Sequence, residues 1–214
     1  MERSNLHGFL ASIFRAELTS ETLRHIKSPE FLEALRDAGV SLDAAFLEAP
    51  EDTLLEEMAV EFTALFLGPG GHISPHESVQ RKGASGLLWG PETSAVKRFI
   101  EAAGFQYDPD FHGIPDHIGV ELEFMKETTR LEAEAWEKDD RTAAANCLEF
   151  QRAFMAGHVL QWSFTFFGKV EETAQLPFYA EMAKLAADFM RSEEETIPAR
   201  LREATAPSQN PDIP

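Results

Sequence analysis

The chain has 214 residues, 43% of them hydrophobic, with 19 Lys and Arg against 37 Asp and Glu for a formal net charge of −18. That length allows one large domain with a sizeable core, and the acidic excess speaks against nucleic acid and anionic membrane as partners while favouring cationic ones. A lone cysteine, Cys147, cannot form an internal disulfide, and no apolar run is long enough to span a bilayer.

In chain order, Leu6, Phe9, Leu10, Ile13 and Phe14 follow the three-and-four spacing of a buried helix face. Glu2, Arg3, Arg15 and Glu17 break up this N-terminal region, which lacks the apolar core and cleavage site of a signal peptide, so a cytoplasmic, reduced chain is expected. Thr19 or Ser20 can cap a second helix carrying Leu23 and Ile26. Ser28-Pro29 starts a third, ending at Gly39. Residues 41–48 form a short helical piece. Pro50-Glu51-Asp52 then opens a stronger helix through Leu54, Met58, Phe62, Leu65 and Phe66, which stops at Gly68-Pro69-Gly70-Gly71.

Residues 68–90 read as the one long irregular stretch, and loops of that length within a compact domain are often functional. Pro91 restarts a helix that ends near Gly104. Pro115 is expected at the first position of the longest helix, which places Asp116 and His117 in its first turn. Asp139-Asp140 breaks the pattern, and one continuous helix then carries Leu148, Met155, Val159, Trp162 and Phe166 to about Gly168. Pro177 starts a last helix. No alternating strand pattern appears, so the expectation is all-α: one helical-bundle domain over residues 1–204 and a loose tail at 205–214.

Four sets of residues invite a chemical reading. Phe62, Leu65 and Phe66 share a helix face and read either as core or as the wall of a groove for an apolar peptide. Ser74-Pro75-His76-Glu77-Ser78 offers Ser, His and carboxylate together, but Ser78 lacks the strand and glycines of a nucleophile elbow. Asp116 reads as a helix cap or a binding carboxylate. His117 and Glu121 lie four apart, which is too few ligands for a metal. His158 and Trp162 read as a satisfied buried pair. Neither a phosphate loop nor a dinucleotide fingerprint is present.

Three of these stretches resemble the TorD/DmsD-like redox enzyme maturation chaperones. They are Glu61-Phe62-Thr63-Ala64-Leu65-Phe66-Leu67-Gly68-Pro69-Gly70 with Pro75-His76-Glu77-Ser78, then Ile114 to Met125, and then Phe154 to Phe167 with Pro177-Phe178-Tyr179. Ile114 stands where the family has an acidic residue before Pro-Asp-His. The resemblance implies an all-helical, non-catalytic, cytoplasmic chaperone without cofactor or metal, acting as a monomer or dimer. Its partner would be the twin-arginine leader of a molybdopterin oxidoreductase precursor, held back from export while cofactor is inserted. The binding residues it implies are Phe62, Leu65, Phe66, Pro75, His76, Asp116 and His117. The residues themselves are compatible with this. An apolar cleft buries the apolar part of a leader, while Asp116 and Glu121 meet its arginines. The competing expectation is a small hydrolase or metal-dependent enzyme built on Asp116, His117 and the 74–78 loop.

Overall fold

The computed structural model describes residues 2–107 and 113–206. Among these residues the chain is all-α, with no strand and an isolated backbone bridge between His76 and His117. Helices α1 (Arg3–Arg15), α2 (Ser20–Ile26), α3 (Pro29–Asp37), α4 (Ala44–Glu48) and α5 (Glu51–Phe62) lead into a π-helical turn, Thr63–Leu67. After α6 (Glu77–Gln80) and α7 (Pro91–Ala102) come α8 (Ile118–Glu137) and α9 (Arg141–Gly157). A 3-10 turn at Val159–Gln161 precedes α10 (Ser163–Thr173) and α11 (Pro177–Thr205).

Short polar side chains start several helices by accepting their unpaired first-turn amides. Thr19 takes the Thr22 amide at 3.1 Å, Asp43 the Phe46 amide at 2.8 Å and Asp140 the Ala143 amide at 2.9 Å. Gly39 and Gly104, with φ of 82° and 88°, end α3 and α7 in the left-handed conformation that glycine adopts without a Cβ clash.

The core forms where α1, α8, α9, α10 and α11 pack side by side. Phe14 of α1 lies at its centre, 5.7 Å from the Phe166 ring, 5.4 Å from Phe167 and 6.3 Å from Phe66. The α1–α8 contact is close. A Cβ added at Gly119 would come within 2.9 Å of Arg15 Cβ and 3.1 Å of the Ala11 carbonyl oxygen. Glycine there lets the start of α8 lie directly on the end of α1, and this fixes where residues 115–118 emerge.

The structure departs from the sequence expectation in four places. The longest helix is α11, which runs 29 residues and contains Pro198. Helix α8 starts at Ile118, with His117 as its cap, so Pro115 and Asp116 stand before it and not in its first turn. The stretch after Gly157 is not one helix. It turns at His158 and Trp162 before α10 begins, and α10 continues past Gly168. Residues 68–90 contain a single turn of helix, α6. The tail expected at 205–214 lies outside the described residues from 207 on, while Thr205 closes α11.

Candidate functional site

The loop before α6 and the segment before α8 are joined by backbone. Ile118 donates its amide to the Pro75 carbonyl at 2.8 Å, and Glu77 donates to the Asp116 carbonyl at 3.0 Å. The His76 and His117 rings meet edge to face across this bridge, 5.0 Å between centroids. A further bond, from the Ile73 amide to the Leu65 carbonyl at 2.7 Å, ties the loop to the π turn. Pro75, His76, Asp116 and His117, 40 or more positions apart in pairs across the two segments, thus share one small region.

Beneath the bridge lie three buried carboxylates. Asp116 Oδ2 accepts the Ser78 amide at 2.8 Å. Glu77 accepts from His158 Nδ1 at 2.9 Å and from Arg81 at 2.5 Å. Glu121 accepts from Trp162 Nε1 at 3.1 Å. Asp116, Glu77 and Glu121 are all fully buried. Burial raises the Glu121 pKa well above the ordinary carboxylate value, and the neighbouring Glu77 and Asp116 charges raise it further against the Trp162 hydrogen bond, which lowers it.

The two histidines stay neutral. Burial, reinforced by His76 and Arg15, pushes His117 down to about 3. Its Nδ1 accepts the Gly119 amide at 3.0 Å, a role open only to an unprotonated nitrogen. His76 is lowered chiefly by burial, with Asp116 opposing, and its Nδ1 lies 3.2 Å from Ser74 Oγ.

Asp116 is therefore neither on the surface nor in a helix turn. Its carboxylate orients the backbone of Ser78 and does not serve an imidazole. The Ser78 hydroxyl is buried without a partner, so Ser, His and Asp do not form a relay. His117 is committed to capping and Glu121 to Trp162. Among the described residues no group of three or more His, Cys, Asp or Glu side chains could hold a metal ion.

Phe62, Leu65 and Phe66 belong to the core, each 2–3% exposed, where Phe66 packs on Phe14, Phe166 and Tyr179. As groove walls they are corrected by this packing. The same helix instead exposes Val60 at 66% and Leu67 at 64%, with Ala64 between them. These positions continue one stripe on the outer face, and a face with three large Phe and Leu side chains drew attention away from it.

The sequence reading also missed a buried polar network at the far end of α1. Arg3 donates to both oxygens of Glu193 at 2.7 Å, to Glu132 at 2.5 Å and to Gln151 at 2.7 Å. His7 Nε2 lies 3.2 Å from Glu193. Burial opposes the Glu193 charge, yet hydrogen bonds from His7 and Arg3 hold its pKa down to about 2. Arg3 and His7 stand four apart within an otherwise apolar stripe, and this was the available signal.

The profile of the nitrate reductase delta subunit family matches residues 28–168. The chain belongs to this family. The curated protein "Chaperone protein TorD" from Vibrio atlanticus is 28% identical over 203 residues, covering 89% of this chain and 92% of that one. The same chaperone from Photobacterium profundum is 26% identical over 200 residues, covering 88% and 90%. From Shewanella pealeana it is 23% identical over 215 residues, covering 93% and 91%. A solved structure from Archaeoglobus fulgidus, described as a redox enzyme maturation protein, shares the fold at a TM-score of 0.52 and 20% identity over 92% of this chain and 94% of that one. Family membership makes this chain a chaperone of the TorD kind and not an enzyme.

Proposed function

We propose that this chaperone acts on a molybdopterin oxidoreductase precursor in the cytoplasm, holding its twin-arginine leader until the cofactor is in place. The observation that carries the reading is the pair of carboxylates Glu77 and Asp116, gathered under the bridge between the two segments, with Asp116 Oδ1 left without a hydrogen-bond partner. A cationic leader is what such a pair can recognise, since carboxylate to guanidinium contacts are charge-assisted and bidentate. The net charge of −18 favours encounter with a basic peptide.

In this reading Pro75, His76 and His117 form the rim around the carboxylates. The apolar part of the leader lies on the exposed stripe of Val60, Ala64 and Leu67, and Phe62, Leu65 and Phe66 hold that helix in place from inside. The TorD relatives support the chaperone role. The test is capture of tagged protein from anaerobically grown cells, with mass spectrometry of what accompanies it. A precursor that keeps its leader is the expected companion. Enrichment of mature oxidoreductase alone, or of no oxidoreductase, would sink the proposal.

A further inference from the structure

The carboxylates under the bridge have more acceptor capacity than the donors around them use. Asp116 Oδ1 is buried with no hydrogen-bond partner, and so is the hydroxyl of Ser78, whose amide binds the other oxygen of the same carboxylate. Buried acceptors in this condition cost free energy until a donor reaches them. One guanidinium already stands at the edge of the cluster. Arg81 donates to Glu77 Oε1 at 2.5 Å and to the Gly157 carbonyl at 3.2 Å. Its side chain is 34% exposed, while that of Glu77 is fully buried, so Arg81 reaches the cluster from the solvent side.

The attachment of Arg81 is light, two hydrogen bonds from one nitrogen. It closes one i,i+4 pair on a helix of four residues, Glu77–Gln80. Beyond it the chain runs into exposed residues, Lys82, Gly83, Ser85, Gly86, Leu87, Leu88 and Trp89. Glu77 is held independently by His158 on its other oxygen, so it keeps its place when Arg81 leaves. A guanidinium carries five donors, and the contact with Glu77 uses few of them.

We propose that the Glu77–Asp116 pair is a guanidinium receptor whose Glu77 side Arg81 occupies at rest, and that an incoming arginine side chain displaces Arg81 to bind there. The inference deepens the leader reading and rests on it for the identity of the guest. The receptor itself needs only arginine chemistry. Arg81 acts as an internal competitor. It lowers the apparent affinity for any guest in proportion to the fraction of time it sits in place.

The experiment uses the full chain and arginine amide as the probe, with lysine amide beside it, followed by calorimetry or amide NMR shifts. Arg81→Gln keeps a polar side chain of similar helix preference while removing the guanidinium. It is expected to bind arginine amide roughly fivefold or more tightly than the native chain, as release of an internal competitor requires. Lysine amide gains little, because an ammonium lacks the planar fork. Glu77→Gln binds neither, and thermal melts establish that it is folded. If it does not fold, Arg81→Gln with Asp116→Asn serves instead and loses the gain. Arginine amide binding that is absent, unchanged or weaker in Arg81→Gln overturns the proposal. Arginine amide binding as expected, with no binding of a twin-arginine leader, would keep the receptor and remove the leader reading.

Discussion

The Ser78 amide donates to Asp116 Oδ2 at 2.8 Å, across 38 positions of sequence, so one buried carboxylate fixes the loop before α7 to the entry of α8. Asp116→Ala leaves that amide buried without an acceptor and is expected to cost on the order of 2 kcal/mol or more. Asp116→Asn keeps an oxygen for the amide and should cost about 1 kcal/mol. Denaturant melts of the two variants decide it. Equal, small losses would mean that Asp116 does no more than an ordinary exposed cap.

A core role for Phe66 predicts a large truncation cost. Phe66→Ala removes contacts with Phe14, Phe166 and Tyr179 and should destabilise the chain by about 3–5 kcal/mol. Leu67→Ala, on the exposed side of the same turn, should change stability by less than about 0.5 kcal/mol. Similar losses in both would contradict the placement.

These two residues show what the sequence could and could not convey. The polar caps Thr19 and Ser28 were legible because each works within one turn of its own helix. The stripe of Phe62, Leu65 and Phe66 was legible as a face, but periodicity does not say what covers a face. Pro115 misled for a physical reason. Proline suits a first helical turn, but the Asp116 and Ile118 backbone groups are used by Glu77 and Pro75, so the helix waits until His117 can cap it. The break at His158–Trp162 has a similar origin. Both side chains are drawn to carboxylates on other elements, Glu77 and Glu121, and no local pattern reports contacts 81 and 41 positions away.

The His117 cap makes stability depend on pH. Its folded pKa of about 3 lies below the ordinary value of 6.5, so the folded state resists protonation that the unfolded chain accepts. Its contribution is complete above pH 6.5 and is lost as pH falls from there toward 3. His117→Asn retains a capping acceptor without a titrating ring. The difference between native and variant stability should therefore shrink or reverse on acidification through that window. A difference that stays constant from pH 7 to pH 4 would count against the cap.

The network at the far end of α1 predicts a loss without a binding phenotype. Arg3→Met strands Glu193 and Glu132 in the core and should cost about 3–5 kcal/mol. Glu193 owes its low pKa to Arg3 and His7, so its stabilising effect is present above pH 4.5 and lost as pH falls toward 2. A flatter acid limb in the melts of Arg3→Met is the expected signature, and an unaltered acid limb would exclude the assignment.

Calorimetric titration of a twin-arginine leader peptide into the native chain tests the central claim most directly, run beside the same peptide with both arginines changed to glutamine. The account predicts saturable one-to-one binding that weakens at higher salt, because charge pairing near solvent is screened, and at least a tenfold loss in the glutamine peptide, about 1.4 kcal/mol. Equal affinity for the two peptides, or no binding of either, would contradict it.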